Sequence, residues 1–284
     1  MRHPALLSLP LLLGLIALIG LPALGTLALS GFIFDGLGAP QWAGLKHWQQ
    51  LAADPLFRQA LSNSLLIASA SVALRLVLAL AVAMLLSTGQ ALHRGALLLL
   101  LLPLAVPGLV WATAWLWLLN PHFGPVATLL DALFFRGSEW LLTAAGARSS
   151  LVLILGLLIG ETVLILLIAR RQIPGHCYIV ARVEGMGAFG QFRRITLPLL
   201  APVLLLLALR DFALTFQTSF LPSQIVTKGG PQFASYLLPQ YVYENSFEYL
   251  RFGYAAALSS TMLLIVVGVL LMQGLLIRRA ITLR

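Results

Sequence analysis

The sequence predicts an all-α polytopic membrane protein with six transmembrane helices, and three observations carry that prediction. Of its 284 residues, 60% are hydrophobic and only 10% are charged, against roughly 25% charged in soluble domains. Mean hydropathy is +0.96. Apolar runs at about 5–29, 61–87, 96–119, 149–169, 199–221 and 254–277 each reach the roughly 20 residues that a bilayer-spanning helix needs.

The first run follows Met1-Arg2-His3 and extends over about 25 residues, longer than the roughly 7–15-residue core of a secretion signal. It therefore reads as a retained first span, residues 1–29. Residues 30–60 form the first outer segment, and 61–277 form a core of five further spans. Span two carries Arg75, and residues 88–95 return the chain by a short loop. Pro103 and Pro107 interrupt span three, as Pro10 and Pro22 interrupt span one. Proline is tolerated in membrane helices, so kinks rather than breaks are expected. Span four carries Glu161 on a face expected to include Ile154, Leu157 and Leu158. A substantial inner loop, 170–198, leads to span five, which holds Arg210 and Asp211. Small residues at Gly253–Ala257 open span six and allow close helix approach, and 278–284 form a tail.

Orientation follows from the charges between spans. The N-terminus, 88–95, 170–198 and the C-terminus hold ten basic residues: Arg2, Arg94, Arg170, Arg171, Arg182, Arg193, Arg194, Arg278, Arg279 and Arg284, against the single acid Glu184. The opposite segments hold six bases and six acids. The positive-inside bias places the first set, with both termini, in the cytoplasm. The three outer loops are roughly 31, 29 and 32 residues long. Trp48, Phe57, Trp140, Tyr241, Tyr243 and Tyr249 sit there as an interfacial belt would.

Several function classes are disfavoured. The net charge of +9 does not form a basic stripe with interleaved aromatics, so nucleic-acid binding is not expected. Cys177 is the single cysteine, which precludes an intramolecular disulfide. The two lysines follow Leu45 and Thr227 rather than glycine, so no GxxxxGK[ST] phosphate loop exists. His3, His47, His93, His122 and His176 have no metal-ligand spacing, and no Gly-x-Ser-x-Gly elbow occurs.

Arg75, Glu161, Arg210 and Asp211 fall inside spans, where each costs about 2.5–3.5 kcal/mol on insertion scales. Such residues either pair with one another or line a polar path, and both readings stand. In span five Asp211, Thr215 and Thr218 lie at i, i+4 and i+7, one helical face, with Gln217 beside it. A proton-coupled secondary transporter using Glu161 and Asp211 as a relay is an alternative from another class. An intramembrane hydrolase with the same acid pair lacks a nucleophile or metal set.

Reading on from span four, the chain runs RRQIPGHCYIVARVEGMGAFGQFRRITLPLLAP. This resembles the coupling loop of ABC-importer permeases, written EAA, three residues, Gly, nine residues, Ile-x-Leu-Pro. Nine residues separate Gly185 from Ile195, Thr196-Leu197-Pro198 completes the ending, and Ala181 fits the second alanine. Ile173-Pro174 and Pro202 also fit. Ile179 stands where the family has Glu, and Val180 where it has the first Ala. GLKHWQQLAADPLFRQALSNS (44–64), NPHFGPVATLL (120–130) and TKGGPQFASYLLPQYVYENSFEYLRFGYAAALS (227–259) are similar to the carbohydrate-importer branch, of maltose/glycerol-phosphate, MalF-like type.

The resemblance implies a type I importer permease fold and a non-catalytic translocation subunit in the inner membrane of a bacterium. It would work by alternating access with a separate ABC ATPase dimer that binds ATP and Mg, a second permease subunit (a heterodimer) and an extracytoplasmic solute-binding protein. The coupling contact implied comprises Ile179, Ala181, Gly185, Gly187, Arg193, Arg194, Ile195, Leu197 and Pro198. Glycine suits the bend because it takes positive φ without a Cβ penalty, and Leu197-Pro198 suits a helix that stops and restarts. With Ile179 for Glu, docking is expected to rely on a more hydrophobic grip. The solute contacts implied are Leu157, Leu158, Glu161, Asp211, Leu214, Thr215 and Thr218. A sugar or sugar derivative is expected; two acids equally suit a cationic solute such as a polyamine.

Overall fold

The computed structural model describes residues 4–87, 93–134 and 137–282. Arg2, His3, Arg136, Arg284 and loop residues 88–92 lie outside the described residues, as do the side chains of His93, Arg94, Asp131, Glu139, Arg278 and Arg279. The element order is α1 (Pro4–Leu15), α2 (Leu21–Leu29), β1 (Phe32–Ile33), β2 (Gln41–Trp42), α3 (Lys46–Ala53), α4 (Pro55–Leu86), α5 (His93–Leu101) and α6 (Gly108–Leu118). There follow α7 (Pro125–Phe134), α8 (Ala144–Gly156), α9 (Gly160–Arg171), α10 (Gly175–Val183), α11 (Ala188–Gln191), α12 (Leu197–Thr218), α13 (Phe220–Pro222), α14 (Leu238–Tyr243) and α15 (Phe252–Thr282). Among the described residues, four helices are long and apolar enough to cross a membrane: Leu9–Leu29, Pro55–Leu86, Ala188–Thr218 and Phe252–Ile277. Two bent pairs supply the other two spans.

The third span is broken, where a kink was expected. Its halves, Gly95–Ala105 and Gly108–Leu118, meet at 102°. Val106 is extended (φ −83°, ψ 126°) because Pro107 disfavours the helical region for the residue before it. The fourth span also divides, with α8 and α9 bent by 50° across Leu157–Ile159. Leu157 and Leu158 therefore lie in the break and share no continuous helical face with Glu161, while Ile154 is fully buried. The fifth span errs the other way. Leu197-Pro198 does not stop the helix, which runs from Ala188 to Thr218. A π-helical turn at Phe192–Thr196 carries the chain through, with the Leu197 N–H reaching back to Phe192 O. Widening one turn shifts the hydrogen-bond register just before Pro198, which has no N–H of its own to satisfy.

The chain divides into two compact units. One comprises Met1–Ser62 and Leu237–Val267. In it the β1–β2 hairpin pairs Phe32 with Trp42, and the Asp54 Oδ2 accepts from the Tyr241 hydroxyl at 2.5 Å and the Tyr254 hydroxyl at 2.6 Å. Burial works to raise the Asp54 carboxyl, but those two phenols and the Leu56 and Phe57 N–H groups outweigh it and hold it below the ordinary carboxylate range. Burial, reinforced by the bond to Asp54, pushes Tyr241 up to about 12.

The other unit comprises Asn63–Tyr236 and Gly268–Arg284. Its apolar core joins Ala79 and Ala83 of α4 to Val163, Leu166 and Leu167 of α9 and Leu207 of α12. Two alanines four residues apart make a smooth stripe, which lets helix backbones approach where lipid supplies no hydrophobic drive. The approach is also close at Gly160, where a Cβ would lie 2.1 Å from Leu100 O. In the N-terminal part of α4, Asn63 Nδ2 donates to Phe233 O and Tyr236 O, and Arg148 donates to Asn63 Oδ1 and Ala234 O. These bonds pin the 228–236 segment.

Candidate functional site

Two places in the second unit carry chemistry. The first is assembled at the break between α8 and α9. In an unbroken helix the carbonyls of Ile154 and Leu155 would accept from residues 158 and 159. Here the Ile159 N–H turns to Leu157 O instead, and a buried carbonyl without a donor is costly. Trp111 Nε1 donates to Ile154 O at 3.1 Å, and Arg75 Nη2 donates to Leu155 O. The break thus makes a socket for a guanidinium inside the membrane span.

Around that socket all four intramembrane charges join one neutral network. Arg75 Nη1 lies 3.6 Å from Asp211 Oδ2, with the side chains only 11% and 3% exposed. Thr162 donates its hydroxyl to the same oxygen at 3.2 Å. Arg210 reaches Asp211 Oδ1 at 3.6 Å and Glu161 Oε1 at 2.5 Å. This outer pair is far more open, at 34% and 50% exposed. Glu161 stands in the first turn of α9, where the helix dipole favours an acid.

The stripe predicted on α12 divides. Asp211 and Thr215 are buried, both at 2%, whereas Thr218 is exposed and bonds its own helix at Leu214 O. The open face is Arg210, Leu214, Gln217 and Thr218, rotated by about one residue from the predicted one. Thr162 was missed because a lone threonine in an apolar run carries no periodic signal.

The second place is the hairpin following α9. Helix α10 ends in a full Schellman cap: Gly185 N–H bonds Arg182 O and Met186 N–H bonds Ala181 O. Gly185 sits at φ +77°, the left-handed position that this cap requires. Tyr178 OH and Thr196 Oγ1, 2.9 Å apart, tie α10 to the π turn, and Gln191 Nε2 bonds Met186 O. Ala181 is buried, while Ile179, Val180, Val183 and Phe189 are 56%, 54%, 85% and 74% exposed. Gly187, Arg193, Arg194 and Pro198 are also exposed; Ile195 and Leu197 are half-buried. Val183 and Phe189 extend the apolar patch beyond the motif.

A transporter subunit of helical, membrane-spanning construction is the class that this arrangement defines. Residues 75–282 match the family described as binding-protein-dependent transport system inner membrane component, and the chain belongs to that family. It is 31% identical over 267 residues to a probable ABC transporter permease, YesP, of Bacillus subtilis, covering 90% of this chain and 84% of that protein. It is 34% identical over 224 residues to the maltose/maltodextrin transport system permease MalF of Escherichia coli, covering 75% of this chain and 43% of the longer relative. A solved bacterial alginate ABC transporter, in complex with its pentasaccharide-bound periplasmic protein, contains a chain of the same fold. Its TM-score is 0.81 at 17% identity, covering 97% of this chain and 94% of that one. The protein is therefore a permease of a binding-protein-dependent ABC importer.

Proposed function

We propose that this permease translocates a sugar or sugar derivative by alternating access, driven by ATP hydrolysis in separate subunits. The observation that carries the reading is the hairpin of α10 and α11. A Schellman-capped helix, braced by the Tyr178–Thr196 bond, presents Ile179, Val180, Val183 and Phe189 more than half exposed. Exposed apolar residues clustered on a rigid element mark a docking surface. The long helix that leaves the hairpin, Ala188–Thr218, also carries Arg210 and Asp211. Movement at the docking surface is thereby passed along one rigid rod to the charged network.

In this reading the hairpin and both termini face the cytoplasm of a bacterium, and the chain sits in its inner membrane. An ABC ATPase dimer, holding ATP and Mg, grips the hairpin through apolar contact, with Ile179 in place of the family's glutamate. Arg193 and Arg194 are exposed and supply basic partners for acids on the ATPase. A second permease subunit completes the pathway as a heterodimer, and an extracytoplasmic binding protein delivers solute. Glu161, Arg210, Leu214, Gln217 and Thr218 offer the solute acceptors, donors and one apolar contact, close to Leu157 and Leu158 at the break. Asp211 and Thr215 support them from behind. The sugar assignment draws on the names of the relatives, for maltose/maltodextrin and for alginate. Each intramembrane acid is paired with an arginine, which weakens the cases for a cationic solute and for a proton relay.

Purification of the chain from its native membrane tests the proposal. An ATPase pair and a second permease should copurify, and a binding-protein ligand screen should return a sugar. Recovery of this chain alone, transporting solute under a pH gradient, would replace this reading with a secondary transporter.

A further inference from the structure

The first unit holds a cavity that the transport reading does not use. It measures about 340 Å³, and its lining includes Ile33, Asp35, Lys46, His47, Leu250, Arg251 and Gly253. Three features make it a built site. His47 is only 8% exposed; its Nε2 lies 3.1 Å from the Phe32 carbonyl, so Nε2 carries the hydrogen. Nδ1 is sealed inside the fold without a partner, so the ring anchors α3 to the Phe32 strand and walls the cavity without offering it an acceptor. Lys46 and Arg251 face the same space, and neither forms an ion pair with an acid among the described residues. Arg251 instead stacks over the Tyr249 ring at 5.7 Å. Gly253 and Tyr254 belong to the first turn of α15, a 31-residue helix whose N-terminus favours negative charge.

An anion alone does not account for the lining. Asp35 shares the cavity, and its Oδ1 accepts from the N–H groups of Leu37 and Gly38. Those bonds hold the carboxyl below its ordinary range, so it stays charged. The lining therefore has a donor side (Lys46, Arg251 and the helix N-terminus) and an acceptor side (Asp35). Such a pair fits a ligand carrying a phosphate and, a short reach away, an ammonium with N–H bonds to give. The position adds a second constraint. Within this unit one membrane-length helix, Leu9–Leu29, ends shortly before Ile33 and another, Phe252–Ile277, begins beside Gly253, which puts the cavity at a bilayer surface. Ile33 and Leu250 on the rim are 42% and 44% exposed, suited to the glycerol and acyl start of a lipid. Gly253 is required for this geometry, since a Cβ there would lie 1.9 Å from Phe32 O and 2.8 Å from His47 Nε2.

From this juxtaposition we infer that the cavity is a headgroup site for an ethanolamine phospholipid: Lys46 and Arg251 hold the phosphate, and Asp35 accepts from the primary ammonium. A choline headgroup has the same charges but no N–H to donate, and a glycerol headgroup has no ammonium. Native mass spectrometry of the full chain, delipidated and titrated with ethanolamine, choline and glycerol phospholipids of matched acyl chains, measures the preference. Losing a charge-assisted hydrogen bond is worth roughly tenfold, so ethanolamine lipid should be retained about tenfold over choline lipid. Asp35→Asn keeps the acceptor for Leu37 and Gly38 while removing the charge, and should erase that preference. Lys46→Gln with Arg251→Gln should weaken both lipids alike, at an unchanged melting temperature. Equal retention of ethanolamine and choline lipids, or preference for the glycerol lipid, would overturn the proposal. So would saturable binding of soluble O-phosphoethanolamine with no retained lipid, which would identify a free aminophosphate as the occupant.

Discussion

The charged cluster on α4, α9 and α12 and the hairpin of α10 and α11 invert the ordinary placement of residues in opposite senses. The cluster sets two arginines and two acids within apolar membrane spans, Arg75 and Asp211 of them buried, and the hairpin displays isoleucine, valine and phenylalanine where a polar surface would be expected. In the cluster the inversion is closed within the chain. Arg75 meets Asp211 and the orphan carbonyl of Leu155, so no formal charge is left over. In the hairpin it stays open, since Val183 is 85% exposed. Internal compensation marks a structural device and its absence marks a contact surface; the same criterion separates the two pairs inside the cluster. Arg75–Asp211 is sealed, whereas Arg210–Glu161 is open enough to exchange partners.

The sharpest way to break this comparison is Asp211→Ala, which leaves Arg75 buried without its counter-ion. A loss of about 3–5 kcal/mol is expected, read as thermal unfolding of the detergent-solubilised chain by tryptophan fluorescence. The pair of changes Arg75→Met and Asp211→Leu should restore most of it; a single variant as stable as the double would dissolve the contrast. Next comes Gly185→Ala, which forces an L side chain into the left-handed cap at a cost of about 1–2 kcal/mol. Faster amide exchange confined to α10 is the expected signature, and exchange unchanged there would show that the cap does not hold the helix.

Glu161→Gln opens only the exposed pair and should cost less than about 1 kcal/mol. Its effect should fall on solute uptake by the assembled transporter; a stability loss as large as that of Asp211→Ala would place Glu161 in the sealed class. Smallest of all in stability is Ile179→Ser combined with Val183→Ser, expected within about 0.5 kcal/mol of the parent. Stimulated ATPase activity in the complex should nonetheless drop severalfold. Ile179→Glu, which introduces the family's residue, should not raise coupling, and a sharp rise would show that the apolar grip is no adaptation to this chain's partner.

Much of the hairpin was legible in the residues. Gly185, Ala181 and the Ile-Thr-Leu-Pro ending stand at fixed spacing, and a Schellman cap is local enough to be read from one glycine after a short helix. The Leu197-Pro198 pair misled, because proline's cost depends on hydrogen-bond register and a π turn of five residues removes it. Pro107 followed its local rule and broke the third span. The two sites contain the same residue type with opposite outcomes, and only the neighbouring turn distinguishes them.

Composition and run length determined the class of this protein: continuous apolar runs of about 20 residues, without the alternation of a barrel strand, can satisfy their backbone in lipid only as helices. The cap that ends α10 was likewise set by spacing along the chain. Tertiary structure decided how Arg75, Glu161, Arg210 and Asp211 pair. These residues lie up to 136 positions apart, counting from Arg75 to Asp211. Their partnership depends on a helix break at Leu157–Ile159 that frees carbonyls for Arg75 and Trp111. Periodicity reports which residues share a face of one helix. It carries no information on which neighbouring helix that face meets, or on where a helix must open to receive a charge.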